Sequence, residues 1–360
     1  MRRSLLRAAG IAAVACSLAC SAAIPAGASV PSPRGWRLVF SKQYLAPVNP
    51  FSAVTAAVAL SANDAWAFAV NQGGDGAFGH PIALHWHDGR WRQTLLPAGL
   101  AGEVNAVSAP AGNDVWAVGL NGGYLIHWNG HDWTVARTWR TGPRSGVQLT
   151  GVTAFSPSDV WVFGGGGSDP GLGTWHLSGK KWTLDRYAHV DMASAVSSHD
   201  IWGIADTAAS PWDIIVRYNG TRWQPVHASL LSSISPRGIL ALSRNDVWVS
   251  GLSAKNNVSP ELLHWNGAKW SSDSALLPKH STYPDDITPD NGGGIWLIAR
   301  SSSGSWIVHI TRHGQVSRTA VTAFLSSVVQ PRGTSSAWAM GSYATKTGSA
   351  AAIWLHGKRP

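Results

Sequence analysis

The sequence predicts an all-β fold: a seven-bladed β-propeller of four-stranded antiparallel blades, with the last blade closed by the N-terminal strand. Three observations carry this. A Trp-centred segment recurs seven times, each copy breaks into short apolar runs, and the last copy lacks a run that the N-terminus can supply.

The recurring segments are SANDAWAFA (Ser61 to Ala69), GNDVWAVG (Gly112 to Gly119), SPSDVWVFG (Ser156 to Gly164), SHDIWGIA (Ser198 to Ala205), RNDVWVSG (Arg244 to Gly251), GGGIWLIA (Gly292 to Ala299) and SSAWAMG (Ser335 to Gly341). Their tryptophans, Trp66, Trp116, Trp161, Trp202, Trp248, Trp296 and Trp338, are spaced 50, 45, 41, 46, 48 and 42 residues apart. A period in the forties is that of one propeller blade. The second copy shows the four runs, here called strands a to d: Val104 to Ser108, Asp114 to Gly119, Tyr124 to Trp128 and Trp133 to Ala136. Ser, Pro, Asn, Asp and Gly separate a from b and c from d, as tight reversals require. Such a sheet cannot bury its own faces, so blades must pack on one another.

Strand c recurs as IALHW, YLIHW, GTWHL, IIVRY, ELLHW, SWIVHI and AAIWL, and strand d starts at Trp91, Trp133, Trp182, Trp223, Trp270 and Val316. The seventh strand d is missing because the chain ends just after His356. Pro33 to Phe40, with Trp36 in the expected place, reads as that strand. Closure of this kind removes the free sheet edges that an open array would present.

The repeated tryptophans are read as packing between blades, since a bulky residue at one fixed strand position per blade fills the same gap each time. The strand-c histidines, His85, His127, His176, His264 and His309, are spread round the ring by the same logic and do not converge on a metal. Each is expected to make a local hydrogen bond. The Asp before the b-strand Trp (Asp64, Asp114, Asp159, Asp200, Asp246) is expected to cap backbone N–H groups of the a–b turn. Because Gly294 and Ser336 replace it in blades six and seven while His309 persists, a strict Asp–His pairing is not expected.

These segments resemble an exported bacterial group of repeat proteins with S-x-x-D-V-W-A-V-G followed by H-W-x-G-x-x-W, over the chain from Trp36 to its end. More loosely they are similar to seven-bladed bacterial propeller lectins. The resemblance implies architecture and export, and, from the lectins, a sugar-binding role.

The N-terminus, with Arg2, Arg3 and Arg7 ahead of an alanine-rich apolar stretch ending at Ala26-Gly27-Ala28, has the layout of a secretory signal over residues 1–28. Residues 29–360 then form a single propeller domain, secreted and monomeric. Lipidation at Cys20 is the weaker reading, because Ser17 stands where lipoprotein signals favour Leu. Both cysteines, Cys16 and Cys20, fall within the signal, so the mature chain offers no thiol for catalysis or metal binding. No run approaches the roughly 20 apolar residues of a membrane span. Loss of the three signal arginines takes the formal charge from +9 to +6. The remaining charge is diffuse, without the basic stripe of a nucleic-acid binder. No cofactor or metal is expected; Asn71 to Gly76 resembles part of a Ca²⁺ loop but lacks its terminal acid.

Function is expected on the face that carries the b–c and d–a loops, which vary between copies while the a–b and c–d turns repeat. Trp139 and Trp212 lie outside the repeated motif segments, in a d–a and a b–c loop respectively. With Arg140, Arg144, Asp213, Tyr283, Asp285 and Asp286 they make the candidate ligand-binding set, a mixture of aromatic, guanidinium and carboxylate suited to a carbohydrate or an extracellular protein or polymer. The sequence holds no G-x-S-x-G, H-E-x-x-H or P-loop pattern. Asp285 and Asp286, adjacent on an extended segment, should point apart and so fall short of a glycosidase pair. A non-catalytic binding or scaffold protein is the expected function. A hydrolase or lyase acting on polysaccharide is the alternative.

Overall fold

The computed structural model describes residues 32, 34–44, 50–72, 79–119, 123–139, 149–164, 173–185, 188–207 and 210–358, with backbone alone at 188, 206–207 and 210–213. The predicted signal lies outside these residues. The described strands form seven antiparallel four-stranded sheets. The a strands are Phe51–Ser61, Val104–Ala111, Leu149–Ser156, Ala188–Ser197, Ile234–Ser243, Tyr283–Pro289 and Phe324–Val329. Each touches the a strand of the next blade, and the seventh touches the first, so the ring is closed around its axis.

Closure follows the expected route. Trp36–Lys42 pairs with the last strand, Ser349–His356, in a register that sets Trp36 opposite His356 and Phe40 opposite Ile353. Trp36 is buried and meets Trp296 of blade six edge-on at 6.1 Å.

All seven repeat tryptophans are buried, none more than 8% exposed. Across the b–c pairing each of five lies flat on the histidine opposite, with ring centroids 3.9–4.0 Å apart. In blade four Arg217 takes that place, 4.9 Å over Trp202. Here the structure corrects the sequence reading of the aspartates. The histidine Nε2 donates to Asp64, Asp114, Asp159 and Asp246 at 2.8–3.0 Å, and Arg217 makes two bonds to Asp200. His309 also has its carboxylate: Asp290, at the end of strand a, accepts at 2.9 Å in place of the position held by Gly294. The pairing is therefore kept in six blades, and one acid has moved four residues along the turn.

The c–d turns Asn129-Gly130, Asn219-Gly220 and Asn266-Gly267 work as expected. Each Asn Oδ1 accepts the backbone N–H groups two and three residues on, while the glycines sit at φ +94°, +91° and +88°, where a side chain would be strained.

The small residue that ends every repeat segment also has a physical cause. Ala69, Gly119, Gly164, Ala205, Gly251, Ala299 and Gly341 each pair with the a-strand residue just ahead of a β-bulge. A Cβ at Gly251 or Gly341 would run into the carbonyl of Ser235 or Phe324 on that strand. The seven bulged residues are Thr55, Asn105, Thr150, Asp191, Arg237, Asp285 and Ser326. They form one ring around the axis, towards the d–a and b–c loops, and this ring positions the candidate site.

Candidate functional site

In four blades the bulged residue is small and neutral and is used for assembly. Thr55 Oγ1 donates to the Val104 carbonyl of the next blade at 2.7 Å, and Asn105 Nδ2 to the Thr150 carbonyl at 3.2 Å. Thr150 donates to the Asp191 carbonyl, and Ser326 Oγ to the Val54 carbonyl at 2.7 Å, bridging blade seven to blade one. A bulge turns an extra side chain out of the pleat, here sideways to its neighbour. In blades four to six the same position carries charge: Asp191, Arg237 and Asp285.

Around Asp285 the charges make a compact cluster. Arg300, at the end of strand b, sends Nε to Asp285 Oδ2 at 2.7 Å and Nη2 to the same oxygen at 2.6 Å. Tyr283 pairs with Arg300 across the strands, and the guanidinium carbon stands 6.0 Å from its ring. Burial raises the Tyr283 phenol above its ordinary range, against the opposing pull of Arg300 and of Arg237 from blade five. Burial likewise pushes the Asp285 carboxyl upward, with Arg300 opposing.

Asp286 behaves differently from its neighbour. Burial pushes its carboxyl up to about 7, and repulsion from Asp285 adds to this; bonds from the Ser327 hydroxyl and the Ile287 and Val328 N–H groups pull the other way. These bonds tie the carboxyl to blade seven. The two carboxylates take different partners, Asp285 bonding Arg300 and Asp286 bonding Ser327, and the bulge at Asp285 interrupts the strand alternation between them. Tyr283, Asp285 and Asp286 stand on strand a itself rather than in a loop.

The other sequence candidates are placed elsewhere. Trp139 is buried at 7% exposure, in the packing between blades two and three, against Trp175 and Trp182 at 6.0 and 5.8 Å. Trp212 and Asp213 lie on strand c of blade four, Ser210–Tyr218, rather than in a loop. Arg140 and Arg144, and most of the Asn71 to Gly76 segment, fall outside the described residues. Sequence reasoning missed Arg300 and Arg237. Their signal was a break in the repeat: Arg300 follows the small residue that closes the sixth segment, and Arg237 occupies a bulge position.

No protein-family model matches the chain, and no curated protein matches it in sequence. Similarity appears in three dimensions. The propeller superposes on YCF48 bound to D1 peptide with a TM-score of 0.59 at 13% identity, covering 92% of this chain and 100% of that one. Virginiamycin B lyase from Staphylococcus aureus, in complex with quinupristin, matches with a TM-score of 0.58 at 12% identity, covering 90% and 100%. The GH74 xyloglucanase from Xanthomonas campestris matches at 0.50 and 11%, covering 85% of this chain and 59% of that one. At these identities the likeness is one of fold.

Proposed function

We propose that this is an exported, non-catalytic binding or scaffold protein that recognises a carbohydrate or other surface polymer through the b–c and d–a face of its propeller. The observation that carries the reading is the break in the bulge ring. Where blades one, two, three and seven spend the position on a neutral bond to the next blade, blades five and six present Arg237, Tyr283, Asp285 and Arg300, a phenol and paired charges fixed on a rigid scaffold. Groups of this kind, pre-positioned and partly desolvated, suit the hydroxyls and amides of a polymer. The similar folds named above are described with a D1 peptide, with quinupristin and as a xyloglucanase, so the scaffold is compatible with polymer recognition without selecting it. Export rests on the signal-like N-terminus, with Ser29 the first mature residue. Intact mass of the secreted protein checks this, and a diacylated Cys20 would overturn it.

The alternative reading, a polysaccharide hydrolase or lyase, would use Asp286, whose carboxyl is pushed upward by burial, as its general acid. A glycan-array screen run beside a reducing-sugar release assay separates the two. Binding without release, weakened at least tenfold by Tyr283→Ala, supports the binding protein; release abolished by Asp286→Asn establishes the enzyme.

A further inference from the structure

Arg137 lies near the end of strand d of blade two, Trp133–Thr138, at the loop-bearing face. Its guanidinium carbon stands 5.1 Å from the ring of Trp139, 4.7 Å from Trp175 and 5.3 Å from Trp182. Trp139 meets the other two indoles at 63° and 84°, so the three form a corner around the cation. Such contacts hold a guanidinium by its faces and leave its in-plane N–H edge for other partners.

That edge is unused. Arg137 makes no ion pair or hydrogen bond among the described residues, and its Nε is buried without an acceptor. The other arginines seen over aromatic rings are satisfied: Arg217, over Trp202, is bonded to Asp200, and Arg300, beside Tyr283, to Asp285. The buried Nε is out of a ligand's reach, but a carboxylate arriving in the guanidinium plane at the Nη1 and Nη2 end of this half-buried side chain takes two parallel bonds. Because the indoles already hold the fork in place, little side-chain freedom remains to be lost on binding.

The corner is also peculiar to one junction. At the strand-c position of Trp175 the other blades carry Leu84, Ile126, Val216, Leu263, Val308 and, in blade seven, the fully buried Trp354. Trp139 has no counterpart in the repeat. An indole at the Trp175 position also serves packing in blade seven; what sets this junction apart is the extra indole of Trp139 and an arginine, unpaired among the described residues, held between three rings.

We propose that Arg137 anchors a carboxylate-binding site at the junction of blades two and three, and that its ligand is an acidic polysaccharide bearing uronate groups. This rests on the reading of the protein as a polymer binder and names the polymer class. A uronate holds its carboxylate rigidly beside the C–H face of its ring, which matches a guanidinium flanked by the half-buried indoles of Trp175 and Trp182. An acidic peptide carries its carboxylate on a flexible stem and gains nothing from those indoles. The +6 charge of the mature chain favours a polyanion in the same sense.

The test uses the secreted full-length mature protein, with tetragalacturonate, its carboxyl-reduced tetrasaccharide and hexaglutamate as probes. Calorimetry reads affinity, and quenching of tryptophan fluorescence reads the corner. Tetragalacturonate is expected to bind with quenching, at least tenfold tighter than the reduced sugar or hexaglutamate. Arg137→Gln is expected to lose at least tenfold of that affinity with an unchanged melting temperature, and Arg137→Lys, which keeps charge without the fork, to fall between. If Arg137→Gln proves unstable, the wild-type preference for the carboxylated over the reduced sugar, with quenching, decides. Equal binding of the two sugars, or unchanged affinity in Arg137→Gln, overturns the site while leaving a polymer binder. Tighter binding of hexaglutamate overturns the uronate assignment. Failure to bind either sugar here, together with no binding on a glycan array, overturns the carbohydrate reading as well.

Discussion

In blade three Trp161 lies flat on His176, whose Nε2 donates to Asp159, with the imidazole 24% and the carboxylate 32% exposed. In blade seven Trp338 faces Leu355 across the same strands, and Ser336 stands where the acid would be. The difference follows from what covers strand c. In blade three its outer neighbour is the five-residue strand Lys181–Asp185, and the polar pair at the strand end reaches water. In blade seven the strand from Ala350 to Leu355 is no more than 2% exposed at any residue, enclosed between strand b and the N-terminal strand. Burying an ion pair that deeply would cost more in desolvation than it returns, so alkyl and indole groups are used instead. Polar clamps suit the blades formed from one continuous segment, and apolar pairing suits the blade formed from both ends of the chain.

The comparison can be broken most severely at the closure. Removing residues 29–42 takes away Trp36 and the whole outer strand, leaving the backbone edge of Ser349–His356 unpaired. The truncated protein is expected to aggregate and to lose cooperative unfolding. A monomeric elution profile with an unchanged melting temperature would show that the seventh blade does not need its N-terminal strand.

Next in size is the loss of a repeat indole. Trp161→Ala opens a cavity in the buried cluster with Phe163, Ile201 and Trp223, and should cost about 3–5 kcal/mol in urea denaturation. The clamp itself is worth less. Asp114 accepts from both His127 at 2.8 Å and the Trp116 indole at 2.7 Å, so Asp114→Ala should cost about 1–3 kcal/mol. Ser336→Ala in blade seven removes a single neutral bond to the Lys358 carbonyl and should cost about 1 kcal/mol. If the two substitutions cost the same, the distinction between polar and apolar blades has no energetic content.

In pH dependence, two acids of one blade should differ in sign. For Asp290, burial raises the carboxyl, but bonds from His309 and the Gly294 and Gly292 N–H groups outweigh it and hold the pKa below 3.8. Its contribution is therefore present at neutral pH and lost as the pH falls through that depressed value. Asp286, raised from 3.8 to about 7, binds its proton more tightly when folded, so stability declines as the pH rises between those values. Asp286→Asn should then be more stable than wild type at pH 8 and equal to it near pH 4. Melting curves from about pH 2 to pH 8 check both signs.

Much of the fold was legible in one dimension. The number of blades, the strand order, the closure by Trp36 and the burial of the seven tryptophans all follow from a period and from alternation within strands, which are local properties repeated along the chain. The site was legible only in part. Tyr283, Asp285 and Asp286 were named as candidates, but as loop residues, because the bulged strand that carries them is defined by pairing with strand b. Arg300 and Arg237 lie at positions whose meaning appears once the bulge ring is seen.

The sequence by itself thus determined how many times one packing problem is posed, since a recurring strand motif imposes a recurring local geometry. Tertiary structure decided which residues answer it at each junction. Asp290 can stand in for the acid missing at Gly294 because a turn brings it to the same point in space. Trp139 is packing rather than a surface loop because blade three supplies Trp175 and Trp182 to cover it. Both outcomes depend on contacts between segments roughly 20 to 40 residues apart, whose distance in space is set by the closed ring and not by the order of the chain.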